Sequence, residues 1–242
     1  MSIYTNNGLV NHAENALALN TKYMWGGILR QITPAYIAQL RKIYGPTYYP
    51  ASRVKELEKC VGKNFFGVDC IGLVKSYYWS GKADGGTGSP RYDALNDCNA
   101  STMYRRAKVK GKIKDIPEVP GLIVYSANPV HVGVYVGRGM TIESTLGSRG
   151  DGVVKRALDN LWTDWFECPY IDYIKTRPVK IAYPANVRKA PNSAAPILGK
   201  LEPGDTAQMY EGIEQTDSRT GYKYVKTDSK YGTGWIVKTA IA

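Results

Sequence analysis

The sequence predicts an α+β domain followed by a small all-β barrel. Three observations carry this expectation. Segments with a helical period are concentrated before residue 80. Alternating apolar segments follow between residues 121 and 176. Beyond residues 177–180 only short apolar runs between turn signals remain. At 242 residues the chain is long enough for one large domain or two smaller ones, and the expected division is 1–177 and 178–242. Hydrophobic content of 43% and charged content of 22% are those of an ordinary globular protein. No stretch approaches the roughly 18 uninterrupted apolar residues of a membrane helix, so no membrane insertion is expected. The first twenty residues, MSIYTNNGLVNHAENALALN, have no basic region followed by an apolar one. No secretory leader is therefore expected: it was removed, or the protein leaves its cell by another route.

In chain order, residues 9–20 (LVNHAENALALN) carry apolar positions at helical spacing, and the glycine pair of TKYMWGG should stop that helix. Residues 34–44 open with Pro34, place Ile37, Leu40 and Ile43 on one face and meet Gly45, which predicts a second helix. PTYYPAS reads as a turn, and residues 53–60 (RVKELEKC) as a short third helix. In NFFGVDCIGLVKSYYWSG the apolar residues from Cys70 to Trp79 fit a buried helix that starts at the step from Asp69 to Cys70 and ends at Gly81. Residues 81–91 form a glycine-rich loop. GLIVYS (121–126), HVGVYVG (131–137) and MTIEST (140–145) read as strands, the second and third joined as a hairpin, and YIDYIKT (170–176) as a closing strand. The remaining runs, from KIAYPANVRKAPN to GTGWIVKTA, predict a β-barrel of roughly 60 residues. The KTRPVK stretch is too short for a flexible tether, and the chain has no internal repeat or low-complexity segment.

The net charge of +11 calls for an anionic partner or environment. Nucleic acid is one candidate; the bacterial wall, with its teichoic acids and stem-peptide carboxylates, is another. The basic residues are scattered, and the densest run, RRAKVKGKIK (105–114), is short. Without zinc-finger spacing, an RNP signature or a base-reading helix, that run is expected to be a solvated basic surface, and nucleic acid is not expected as a partner. The four cysteines, Cys60, Cys70, Cys98 and Cys168, form no CxxC pair, and the chain has two histidines. No structural zinc, other metal or cofactor is expected, and free thiols are favoured.

A thiol hydrolase needs a thiol, a nearby imidazole and a group that orients the imidazole. Among the four cysteines, position favours Cys70, at the predicted start of a helix, where unpaired N–H groups and the dipole should lower its pKa. Cys60 falls at a helix end, Cys98 in a polar loop, and Cys168 before Pro169. His131 opens an alternating strand whose Val132, Val134 and Val136 should face the core, leaving His131, Gly133 and Tyr135 on the other face. His12, beside Asn11 and Glu14, reads as a surface histidine. Glu143, on the partner strand of the hairpin, could come level with His131 and accept its second N–H; a solvent-facing glutamate fits the spacing equally well.

The string DCIGLV, followed by PGLIVYS and HVGVYVGRGMTIES, resembles the NlpC/P60 family of cell-wall peptidases. The resemblance covers roughly residues 10–175 and implies a papain-like α+β fold. It implies Cys70 as nucleophile, His131 as base, and Glu143 at the third, polar position, where the family often has histidine. Tyr23 and Asp69 match positions that hold the free amino end of a stem peptide, and Trp25 and Ile71 are the further substrate-binding candidates. The implied reaction is cleavage between γ-D-glutamate and the following diamino acid. Three departures stand out: Ile71 where the family usually has serine, Leu122 where it usually has aspartate, and a stretch between Gly27 and Asp69 several times the usual length. This insertion, about 28–68, could wall or cap the cleft. It keeps open an amidase acting between sugar and L-alanine, or a cross-bridge peptidase. A wall-binding protein without activity is the alternative outside enzymes. In the second domain, ANVRKAPN, ILGKLEPGD and YKYVKTDSKYGTGWIV resemble the bacterial SH3 (SH3b) family, which implies cell-wall polymer as its partner. There Trp235 is expected in the core, and Tyr210, Tyr222, Tyr224 and Tyr231 are surface candidates. The implied place of action is the bacterial wall, reached as a phage-type lysin or as a secreted autolysin.

Overall fold

The structure, a computed structural model, describes residues 3–242; Met1 and Ser2, at the head of the segment read for a leader, lie outside them. The chain divides into two compact units, 1–173 and 174–242.

The first unit contains α1 (Asn6–Leu17), β1 (Asn20–Tyr23), β2 (Ile28–Gln31), α2 (Pro34–Tyr48), α3 (Ala51–Glu58), β3 (Phe65–Val68), α4 (Cys70–Trp79) and α5 (Ala100–Arg106). These are followed by β4 (Lys110–Lys112), β5 (Ile123–Ala127), β6 (Val130–Gly137), β7 (Met140–Gly147), β8 (Gly150–Ala157) and β9 (Asp164–Phe166). Side-chain caps start the helices: Thr5 accepts from Gly8 N at α1, and Thr33 from Tyr36 N at α2. The backbone of α2 breaks at Gly45 (φ 75°), so the periodic stretch ends there and a separate last turn follows.

The antiparallel sheet runs β4-β9-β5-β6-β7-β8. On one face Val132, Val134 and Ile142 pack against Leu9 and Ala13 of α1 and Leu73 and Val74 of α4. On the other, Tyr135 joins Leu122, Val124 and Trp162 in a second buried cluster. Leu122, the departure from the family's aspartate, is thus a core residue.

The 28–68 stretch folds into elements of its own. β3 pairs parallel with β1 and antiparallel with β2, giving the order β1-β3-β2. Met24, Ile32, Ile37, Leu40, Tyr49 and Leu57 close a separate core between this sheet and helices α2 and α3. At four residues each, the three strands are too short to show a period in the sequence.

The expected closing strand at 170–176 is not formed: residues 170–175 lie outside the named strands, and Thr176 opens a strand of the second unit. The stretch is held by a backbone bridge, Asp172 to Thr5, and by Tyr173, whose Oη donates to the Gly121 carbonyl (2.8 Å) and accepts from Cys168 N (2.8 Å). The sheet is completed by β8, whose sequence carries glycines at 150 and 152, and by the three-residue β9.

The second unit is a single sheet of β10 (Thr176–Lys180), β11 (Ala185–Arg188), β12 (Ile197–Leu201), β13 (Thr206–Thr216), β14 (Lys223–Ser229) and β15 (Gly232–Val237). Its order is β10-β13-β14-β15-β11-β12. Among the described residues these strands form one six-stranded sheet, and no ladder joins its edge strands β10 and β12. Val187, Leu201, Val225 and Ile236 centre its core. Trp235 lies outside that core and is half-buried, which corrects its expected core position. Tyr210 and Tyr224 are buried, whereas Tyr222 and Tyr231 are exposed. No helix among the described residues is long and apolar enough to cross a membrane.

Candidate active site

β3 leads directly into Asp69, the N-cap of α4. The Asp69 carboxylate accepts from Gly72 N (2.5 Å) and from Gly26 N (2.6 Å), so both oxygens are engaged by backbone. A glycine is required at 72: a Cβ there would fall 1.8 Å from the Gly27 carbonyl oxygen. With Asp69 as the cap, Cys70 is the first residue of α4. Its sulfur is faced by the N–H groups of Val132, Ile71 and Cys70 itself. In the parallel pairing, Tyr23 stands level with Val68, and its side chain reaches Cys70. Burial, then the adjacent Cys70 and Asp69, push the Tyr23 phenol up, so it stays protonated.

The expectation of a lowered Cys70 pKa is overturned. Burial, followed by the neighbouring Asp69 carboxylate, pushes the thiol up to about 12, and the facing N–H groups offset this only in part. Cys70 is therefore a thiol at neutral pH. Its alkylation by iodoacetamide, followed by peptide mass spectrometry, is expected to rise about tenfold per pH unit from 7 to 9. A plateau reached below pH 8 would instead reveal a preformed thiolate.

His131 sits on β6, on the face opposite the valines. Its Nε2 lies 2.5 Å from Glu143 Oε2, so Nδ1 is the ring nitrogen this carboxylate does not engage. The strand register pairs Val134 with Ile142, so Glu143 stands beside Gly133, a diagonal step from His131 rather than level with it. A Cβ at Gly133 would meet the Trp162 ring at 3.1 Å. The glycine thus makes room for Trp162 to stack on the imidazole, with centroids 5.4 Å apart and planes at 16°.

Glu143 is fully buried, which excludes the solvent-facing alternative. Burial works against its ionisation, but the hydrogen bonds from His131 and Arg149 outweigh it and hold the carboxyl below its ordinary value. Arg149 gives Nε and Nη2 to Glu143 Oε1 (3.1 and 2.7 Å) and Nη1 to Asp159 Oδ2 (2.7 Å). Arg149, Asp159 and Trp162 escaped the sequence reading. An arginine in the turn GSRGDG carries no recognisable signal, and the other two are distant in the chain.

The remaining candidates fall in different settings. Trp25 is 39% exposed and stacks on Tyr48 of the insertion (4.2 Å), while its carbonyl accepts from Tyr49 Oη (2.7 Å). Together with Tyr23, His131, Thr145, Leu146 and Arg149 it lines a cleft of about 310 Å³. Ile71 is 7% exposed and packs into the main core, so it offers little side-chain surface to a substrate. Asp69 is buried, and burial pushes its carboxyl up. The insertion also fixes Tyr23: Arg53 Nη2 of α3 donates to the Tyr23 carbonyl (2.6 Å), and Asp151 of β8 accepts from Tyr23 N (3.0 Å) and from Arg53.

His12 is not on the surface. It is 1% exposed, with Nε2 2.8 Å from Ser76 Oγ of α4, and burial pushes its pKa down to about 4. All four cysteines are free thiols; Cys60 and Cys168 are buried and Cys98 is half-buried, none of them at a helix start.

No family model matches the chain, and no curated protein matches it. Among solved structures it is similar to the peptidoglycan hydrolase RipB from Mycobacterium tuberculosis, with 20% identity and a TM-score of 0.39 over 69% of this chain and 65% of that one. It is also similar to NlpC2 from Trichomonas vaginalis (14% identity, TM-score 0.24, 52% of this chain and 44% of that one). A third likeness is to Ly7917 (14% identity, TM-score 0.30, 96% of this chain and 92% of that one). The chain thus spans 65% of the RipB chain it matches. At these values the functional reading rests on the chain's own residues.

Proposed function

We propose that the first unit is a thiol hydrolase acting on peptidoglycan stem peptides. The observation that carries this reading is the junction of α4 and β6. The Cys70 sulfur faces the N–H of Val132, the residue after His131, and the His131 ring is held by a buried carboxylate. The resemblance of the DCIGLV and HVGVYVG motifs supplies the substrate class.

In this mechanism His131 Nδ1 takes the Cys70 proton as the sulfur attacks the scissile carbonyl carbon. A protonated thiol in the free enzyme makes this concerted general-base step the fitting one. The carbonyl oxygen becomes an oxyanion that the N–H groups at the α4 start are placed to receive, with the protonated Tyr23 hydroxyl beside them. His131 then gives its proton to the leaving amine, and the carbon–nitrogen bond breaks to leave a thioester on Cys70. Water, deprotonated by His131, hydrolyses the thioester and restores the thiol. Glu143 stabilises the imidazolium in both halves. Tyr23 and Asp69 are assigned to the free amino end of the stem peptide, and Trp25 to the cleft wall. The second unit acts as a wall-polymer tether through exposed Tyr222 and Tyr231, raising the local concentration of the hydrolase. Action is at the bacterial cell wall.

The bond assigned is that between γ-D-glutamate and the diamino acid. Because the insertion contributes the Tyr48 face behind Trp25, an amidase or cross-bridge peptidase is the second reading. Mass spectrometry of digested peptidoglycan decides between them. New free amino ends are expected on the diamino acid; new ends at muramic acid or within the cross-bridge would overturn the assignment.

A further inference from the structure

The buried Glu143 carboxylate is shared between two side chains, with His131 on Oε2 and Arg149 on Oε1. Arg149 lines the cleft beside Tyr23, Trp25 and His131, where an arginine would ordinarily serve as an anchor for an anionic substrate. Each of its three nitrogens already donates to a carboxylate. Nε and Nη2 go to Glu143, and Nη1 goes to Asp159.

We propose that Arg149 is a positioning residue for His131, holding Glu143 ionised and oriented while limiting how strongly that carboxylate draws a proton onto the ring. This rests on the reading of His131 as the general base. The ring is the other partner of this buried carboxylate, so without Arg149 the carboxylate would keep its charge by drawing a proton onto His131 and would occupy the base before substrate arrived. A guanidinium is always charged and holds Oε1 through two donors, so it steadies that charge without using the ring. Asp159 in turn fixes the guanidinium and tempers its charge. The titratable and charged groups that hydrogen bonds and the cleft bring to His131 are Glu143 of β7, Arg149 of the following turn with Asp159 behind it, and Tyr23 at the end of β1, with Cys70 facing the N–H of the next residue, Val132. Arg149 is the cation among them. The Trp162 ring covers one face of the imidazole without charge.

The test follows the ring itself. The chain has two histidines, so isotope labelling and NMR can resolve the His131 titration in the absence of substrate. In Arg149→Met the midpoint is expected to move up by about one pH unit relative to wild type, and Arg149→Lys should restore most of it. The acid limb of kcat/KM should move the same way, with kcat at neutral pH falling about tenfold and KM little changed. A purely structural role would lower the Tm and leave the pH profile in place. Asp159→Asn keeps the fork on Glu143 and removes the tempering charge, so its midpoint should move down; this variant carries the test if Arg149→Met does not fold. Unmoved midpoints in folded variants, or a downward shift in Arg149→Met, overturn the proposal. A wild-type chain that cleaves no stem peptide would sink the proposed reaction, while the titration would still decide the role of Arg149.

Discussion

A Cys70→Ala chain is expected to lose hydrolysis by about 10⁴-fold or more while keeping its fold and its binding to purified wall. Alanine removes only a sulfur atom from the start of α4. The N-cap is untouched, because Asp69 makes its bonds to Gly72 N and Gly26 N and not to the cysteine side chain. The stability cost should stay near that of a small core truncation, about 1 kcal/mol. Turbidity loss of wall suspensions, a Tm and a pelleting assay read the three quantities separately. Lysis at the wild-type rate would remove Cys70 from the mechanism. No other cysteine could then take its place by geometry, since Cys60, Cys98 and Cys168 stand at no helix start. Loss of pelleting together with lysis would show instead that Cys70 is needed for the fold or for wall capture.

Lowering the pH from 7 to 4 is expected to remove about 3 kcal/mol of stability through His12 alone. The ring is buried, and its pKa falls from 6.5 to about 4. Between those values the unfolded chain binds a proton that the folded chain refuses, so stability is fully present above about pH 6.5 and drains away as the pH falls toward 4. The hydrogen bonding agrees with a neutral ring. Ser76 Oγ donates to the Leu73 carbonyl (2.9 Å), so in the His12–Ser76 pair it accepts from Nε2–H. Urea unfolding across this range should show a steep slope in wild type and a flatter one in His12→Gln, whose amide can keep the bond to Ser76. Equal slopes would rule out the buried neutral histidine. Glu143, Asp151 and Asp159 are held below their ordinary values by their ion pairs and add a loss of the same sign at still lower pH.

What could be read locally was read from the sequence. The helix from Cys70 to Trp79 shows because its apolar run follows a capping aspartate, and the strand at residues 131–137 shows because it alternates. Both are short-range patterns in which each residue reports its own surroundings. The insertion was legible as extra length but not as a folded layer, since strands of four residues carry too little period to register. His12 misled for a related reason: a polar residue on an amphipathic helix is presumed outward, and only the packing of α1 on α4 buries it.

Other features depended on distant parts of the chain, and only the tertiary structure decided them. The sequence by itself determined the candidate thiol, the candidate imidazole, and the helix start and strand that present them. It did not determine the state of that thiol. The dipole argument for a lowered pKa considered the helix alone, whereas burial and Asp69 act on the sulfur more strongly. Nor did it show that Glu143 is enclosed between His131 and Arg149, because that arrangement needs the β7–β8 turn to bring Arg149 onto both Glu143 and Asp159. Charge state and orientation depend on the dielectric and on neighbours in space, and neither is a property of sequence order.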